Sequence, residues 1–240
     1  MKYFNWINIR LVLIFSLVIF LYSFTSIRNS QRKLKKSEVI FVGDNNNFVK
    51  QETVNKLLIE NISDVKTIAK EDLNLNKLEN SINNHPMIEK SEVFVSVDGV
   101  LKAIVIQKTP VARVFNDEGS FYIDYQGNEM PLSDNYTARV PLISGKINDK
   151  NIIKLSKILK MIYDDEFLKK NIIGVQFLAD ESLMMTNRNF DYQIEFGKMM
   201  NEEKKFKNYK AFFQKAILDS TLYNYKRINL RFTQQVVCTK

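Results

Sequence analysis

The sequence predicts an α+β protein: an N-terminal transmembrane helix, a small βααββ domain, then a mixed β-rich domain with flanking helices. Three observations carry that prediction. A single uncharged apolar run stands near the N-terminus, and no second one follows. Between residues 38 and 108 the apolar spacing passes from strand-like to helical and back to strand-like. Beyond residue 109, short Val-, Ile- and Phe-rich runs alternate with turn clusters and two longer stretches of helical period.

Residues 11–27 carry no charge between Arg10 and Arg28. At 1.5 Å per residue they cover about 25 Å, close to the ~30 Å hydrocarbon core of a bilayer. Tyr3, Phe4 and Trp6 before the run, and Tyr22 and Phe24 at its far end, suit the headgroup level. After Phe24 the chain reads Thr25-Ser26-Ile27-Arg28, which lacks the small-residue pattern of a signal cleavage site, so an uncleaved anchor is expected. The expected order is a tail at 1–10, a transmembrane helix at 11–27 and a basic linker at 28–37.

The net charge of +8 sits beside that helix. The first 36 residues hold Lys2, Arg10, Arg28, Arg32, Lys33, Lys35 and Lys36 and no acid, which leaves 28 basic against 27 acidic residues in the rest. Such a juxtamembrane cluster suits anionic lipid headgroups. The folded part has no compositional footprint for nucleic acid. Two of the seven basic residues precede the apolar run and five follow it, so the positive-inside rule alone places the C-terminal bulk in the cytoplasm.

Residues 38–42 read as a strand, ended by the turn cluster Gly43-Asp44-Asn45. Residues 48–62 have helical spacing at Val54, Leu57, Leu58 and Ile62. Asn74 is placed to cap a second helix with Leu75, Leu78 and Ile82 on one face. That helix must stop before Pro86, because the residue preceding proline disfavours helical geometry. Residues 91–97 and 101–107 are strand-like, and Asp98-Gly99 between them supports a tight hairpin turn.

From residue 110 the texture changes. Strands are expected at 111–115, 121–124 and 140–143, with turns at Asp117-Glu118-Gly119 and Gln126-Gly127-Asn128. Asp149 can cap a helix with Ile152, Leu155, Leu159 and Ile162 on its face. A meander is expected from 172–178, 183–186 and 192–196. Asn201 opens a last helix, with Glu202 and Glu203 in its first turn, where the helix dipole favours acids. Its buried face would be Phe206, Tyr209, Phe213, Ala216 and Ile217. Ile228, Leu230 and Phe232 alternate as a strand, and a further extended run covers 234–238.

The residues that would carry catalysis are sparse. Ser-His-Asp or Cys-His chemistry needs an imidazole, and His85 is the only histidine. It could serve a nucleophile such as Cys238, the only cysteine, but its place beside Pro86 suits a turn or capping role. One His and one Cys do not supply a metal-ligand cluster. No G-x-G phosphate cradle occurs among the seven glycines. Asp164-Asp165-Glu166 and Glu202-Glu203 fit helix termini better than a glycosidase pair. Met184-Met185 and Met199-Met200 suit core filling, with an adaptable binding surface as the other option. No catalytic, cofactor-binding or metal-binding residue is assigned, and function is expected to lie in recognition.

In order and in motif the chain resembles the FtsQ/DivIB family of single-pass bacterial cell-division proteins. Leu78-Glu79, Ile82 and His85-Pro86-Met87-Ile88 resemble its "LE..I...PWV" signature, with Met87 where tryptophan is common. Lys108-Thr109-Pro110-Val111-Ala112 resembles "E-x-x-P-V-A", with Lys108 departing from the frequent acid. Phe121-Tyr122-Ile123-Asp124 with Gly127 resembles "VD..G", and Val140-Pro141-Leu142-Ile143 with Gly145 resembles "LP.L.G". Ile228-Asn229-Leu230-Arg231-Phe232 resembles the terminal "DLR(Y/F)", with Asn229 replacing Asp.

The resemblance implies a POTRA domain at 38–108, a β domain at 109–240, a cytoplasmic N-terminus and an extracytoplasmic (periplasmic) bulk, against the charge count. It implies a non-enzymatic scaffold at the septum that binds FtsB-like and FtsL-like bitopic partners and other divisome components. Partner pairing would fall on the segment after the "DLR(Y/F)" strand: Phe232, Thr233, Gln234, Gln235, Val236, Val237 and Cys238. Gln234, Val236 and Cys238 would face one side, with Gln235 and Val237 on the other. Two other classes remain open at this point: a POTRA-based chaperone-like module for outer-membrane or secreted chains, and a membrane-anchored cell-wall enzyme.

Overall fold

A computed structural model describes residues 6–30, 33–43, 46–60, 73–116, 119–145 and 149–240. Lys2, Tyr3, Phe4, Arg32, Asp44, Asn45, Ile62, Asp117 and Glu118, singled out above, lie outside the described residues. The chain forms two compact units, Met1–Gln107 and Lys108–Lys240.

In the first unit, α1 (Trp6–Ser30) is a continuous helix. Its Trp6–Asn29 stretch has a mean hydropathy of 2.2 and is long and apolar enough to cross a membrane. It is apolar all round and none of that stretch is buried. The helix takes in Arg28, and β1 (Lys36–Val42) already begins at Lys36, so little of the basic segment is free linker.

Next come α2 (Gln51–Glu60), α3 (Leu75–Asn83), β2 (Ile88–Val95) and β3 (Val100–Gln107). The sheet order is β1-β3-β2, with β1 parallel and β2 antiparallel to the central β3. Val39, Ala103 and Val93 lie in one row across the three strands, and all are buried. Val54 and Leu58 of α2 and Leu78 and Ile82 of α3 complete this core. Asn74 caps α3 through its side-chain oxygen, which accepts from Lys77 N–H at 3.0 Å. α3 stops at Asn83, ahead of Pro86. The hairpin turn is made by Gly99 at φ +86°.

Gln107 closes the unit. Its buried amide accepts the N–H groups of Phe48 (2.9 Å) and Val49 (3.0 Å) and donates to the Val49 carbonyl (2.9 Å). Three backbone groups ahead of α2 are thereby satisfied away from water.

The second unit is built on a nine-stranded mixed sheet. Its strands are β4 (Pro110–Asn116), β5 (Gly119–Asp124), β6 (Glu129–Met130), β7 (Leu142–Ser144), β8 (Ile172–Phe177), β9 (Ser182–Asn187), β10 (Gln193–Lys198), β11 (Arg227–Asn229) and β12 (Val237–Thr239). Their order is β12-β11-β10-β9-β8-β7-β4-β5-β6. The helices are α4 (Asp149–Asp164), α5 (Glu166–Asn171) and α6 (Glu202–Leu218). Parallel neighbours need a crossover, and the helices supply it: α4 and α5 between β7 and β8, α6 between β10 and β11. Leu155, Ile158, Leu159, Ile162, Leu168, Phe206, Tyr209, Phe213 and Ala216 from the helices meet Val175, Phe177, Met185, Ile194, Phe196 and Ile228 from the strands. Each fully buried aliphatic side chain there contributes about 1.5–3 kcal/mol.

The structure corrects several sequence expectations. Ile217 is half-exposed, because the buried stripe of α6 runs through 206, 209, 213 and 216 and leaves 217 beside it. Asn201 precedes α6 but makes no side-chain cap; it turns the chain with φ +54°. α4 begins at Asp149 itself. Strand geometry starts at Leu142 after Pro141, which has no N–H for a ladder. Leu230 stays buried, but Phe232 lies outside β11 and is exposed, and the later strand covers only 237–239.

Candidate functional site

The 232–238 segment lies at the end of the large sheet. β11 runs parallel to β10, with Ile194↔Ile228 in register, and β12 runs antiparallel to β11, with Ile228↔Cys238 in register. β12 is terminal in the strand order, so among the described residues it has one strand neighbour.

Backbone directions follow from the ladder. Gln193 N–H donates to the Lys226 carbonyl and Leu230 N–H to the Glu195 carbonyl, both at 2.9 Å. Residue 228 therefore turns its peptide groups toward β10, and residues 227 and 229 turn theirs toward β12. Their register partners Thr239 and Val237 face β11. The N–H and C=O of Cys238 then point to the open side, since peptide directions alternate along a strand.

Side chains alternate the other way. Val236 and Cys238 pack against the core, whereas Val237 faces solvent. Gln234 is exposed and does not share the buried side of Val236 and Cys238. The connection is held at two points: Arg231 N–H donates to Asn229 Oδ1 at 2.9 Å, and the Thr233 carbonyl accepts from Asn208 Nδ2 of α6 at 3.1 Å. Phe232 sits between these ties, 52% exposed.

Beneath the edge lie residues that the sequence motifs did not single out. The Glu195 carboxylate, mostly buried, lies 3.4 Å from Arg227 and 3.7 Å from Arg231, both largely exposed. Gly197 has φ +74°, and a Cβ there would come within 2.8 Å of Arg231 Cγ. A side chain at 197 would therefore press on Arg231 and strain the backbone. Lys205 of α6 is buried and donates to the carbonyls of Phe196 (2.8 Å) and Lys198 (2.7 Å), fixing α6 over the end of β10. Burial pushes its ammonium pKa down, and Glu202 opposes that. A lone buried cation in an apolar face leaves little periodic signal, which is why the sequence concealed it.

Burial pushes the Cys238 thiol above its usual pKa, away from the reactive thiolate. Tyr192 and Tyr209 share a hydroxyl–hydroxyl hydrogen bond of 2.9 Å, joined by Asn187 Nδ2 at 3.0 Å. Desolvation raises both phenols, so they stay protonated.

The other candidate chemical groups are dispersed. His85 stands in the turn after α3, where its Nδ1 accepts from Met87 N–H at 3.3 Å and burial lowers its pKa. It belongs to the first unit and Cys238 to the second. Asp164 accepts from the Tyr125 hydroxyl, Asp165 caps α5, and Glu166 pairs with Lys170. Glu202 pairs with Lys157. Met185 is fully buried and Met200 is exposed. Among the described residues no group of three or more His, Cys, Asp or Glu could hold a metal ion.

A sequence model of the family described as FtsQ/DivIB, C-terminal related, matches residues 109–239. No curated protein sequence matches the chain. Among solved structures, the major extracytoplasmic domain of the trans isomer of the bacterial cell division protein DivIB from Geobacillus stearothermophilus aligns with 47% of this chain and 95% of its own, at 12% identity and a TM-score of 0.30.

Proposed function

The chain belongs to the FtsQ/DivIB C-terminal related family, which gives it a role in bacterial cell division, and from that premise we propose that it is a non-enzymatic divisome scaffold whose β12 edge receives a strand from a bitopic partner. The partner is FtsB-like, with an FtsL-like chain beside it, and the complex helps control septal peptidoglycan synthesis. On this reading the first unit is a POTRA domain, α1 crosses the cytoplasmic membrane once, and both folded units lie outside it at the septum.

The observation that carries this reading is that β12, among the described residues, has a strand neighbour on one side only. A strand edge offers N–H and C=O groups that another extended chain can pair. β12 is three residues long, so backbone pairing supplies part of the affinity. Exposed Val237 within it and Phe232 before it offer apolar contacts for the rest.

The test is Cys238→Pro, which removes an outward N–H and leaves the β11-facing groups of 237 and 239 in place. Cys238→Ala controls for the lost side chain. The proline variant is expected to keep its unfolding midpoint and lose at least tenfold in affinity for the extracytoplasmic segment of the FtsB-like partner, about 1.4 kcal/mol. The alanine variant is expected to bind normally. Equal binding by both variants would remove the edge from the mechanism.

A further inference from the structure

The basic segment between α1 and β1 is fastened to the fold. Leu34 is 2% exposed, sunk into the core of the first unit between Lys33 and Lys35, both exposed. Lys35 N–H donates to the Gly99 carbonyl at 2.8 Å. The Lys33 carbonyl lies 3.1 Å from where a Gly99 Cβ would stand. Lys33, Lys35 and Lys36 are thus held against the tip of the β2–β3 hairpin, where Val97 is 83% exposed. Lys102 stands near, one register row from Leu101 and opposite Glu38. The acids at this end are Glu38, 3.7 Å from Lys36, and Asp98, beside Lys35 and Lys102. Among the described residues, four lysines and two carboxylates stand at this end with an exposed apolar side chain.

We propose that this end of the three-stranded sheet, Lys33, Lys35 and Lys36 with the Val97 tip, is a docking surface for an anionic phospholipid bilayer. The inference rests on the reading of α1 as a membrane span. The occupant follows from continuity of the chain. α1 ends at Ser30 and β1 starts at Lys36, so at about 3.6 Å per residue the sheet begins no more than ~22 Å from the helix end. A surface tethered that closely meets headgroup phosphates at high effective concentration, and a few lysines suffice to hold it. Lysine stems can lie along the interface with their ammonium groups on phosphate while Val97 enters the acyl boundary. Docking would fix the tilt of the first unit on the membrane. It also gives three of the five basic residues that follow the apolar run a use outside topology.

The experiment uses the full chain in nanodiscs. Val97→Cys in a Cys238→Ser background carries an environment-sensitive fluorophore. Discs are made of phosphatidylcholine alone or with phosphatidylglycerol added. Blue-shifted emission is expected only in the phosphatidylglycerol discs, and it should be reversed by about 0.5 M NaCl, which shortens the Debye length to a few ångströms. The triple substitution Lys33→Gln, Lys35→Gln, Lys36→Gln should abolish it. Identical emission in both lipids, or a shift that survives the triple substitution, overturns the docking surface. Co-elution of protein with discs reads the anchor separately. A chain that does not incorporate overturns both readings, whereas an incorporated chain with unchanged emission overturns this one alone.

Discussion

Single residues decide where this fold tolerates no change. Gly145 has φ +103°, and a Cβ there would stand 2.1 Å from the Phe177 carbonyl oxygen. That oxygen is backbone on the neighbouring β8 and cannot swing aside. Gly145→Ala is therefore expected to destabilise the second unit by about 3 kcal/mol or more, combining left-handed strain with overpacking. Chemical denaturation of the detergent-solubilised protein measures it, and a loss under about 1 kcal/mol would mean that β7 and β8 separate easily. The sequence pattern marked Gly145 as part of a motif but gave no physical reason; the close approach of two strands supplies one. The structure also gives the departing Lys108 a role. Its ammonium lies 3.3 Å from Asp124 Oδ2, while Oδ1 accepts the N–H groups of Gln126 and Asn128. That carboxylate is 2% exposed, so the lysine neutralises a charge that burial would otherwise penalise heavily.

Elements were legible where periodicity was long and hidden where it was short. The faces of α3 and α4, the Asn74 cap and the 98–99 turn could be read from spacing and turn chemistry. The six-residue α5 spans too few turns to show a period, and only its acidic start hinted at it. At the β12 end of the large sheet, alternation through Phe232 suggested a longer strand, but β11 stops at Asn229 and Arg231 packs beside Gly197. α5 carries a pH-dependent prediction. Asp165 accepts from the N–H groups of Phe167 and Leu168, both at 3.0 Å, and pairs with Lys210 of α6. Burial pulls its pKa up, but the lysine and the two N–H donors outweigh it and hold the carboxyl below the usual aspartate value. Its contribution is thus complete above the unfolded-state value and disappears as pH falls through the folded one. Asp165→Asn retains a capping oxygen and loses the charge. It should cost at most about 1 kcal/mol at neutral pH, since the pair is partly solvated. The difference from the parent should vanish in acid titrations followed by thermal unfolding; a deficit that persists there would assign the effect to packing.

On the scale of the whole molecule, the charge count and the family resemblance disagree about sidedness. Cation counting reads only the flanks of α1, and that rule weakens when a flank is folded, as Leu34 and Lys35 are. Protease added to intact spheroplasts is expected to digest both units and spare an N-terminal tag; a protected body with a digested tag would reverse the assignment. The glutamine at the end of β3 has a bearing on descent as well. One side chain about sixty positions away in sequence dictates the backbone path at Phe48 and Val49. Because it grips peptide groups, whatever residues stand there, lineages can exchange side chains along that approach while the path is inherited unaltered. Position 107 has no such latitude: a carboxylate forfeits the donor, a hydroxyl is too short to span all three groups and a methyl forfeits donor and acceptor alike, so drift is expected to run through the segment that is held and to stop at the residue that holds it.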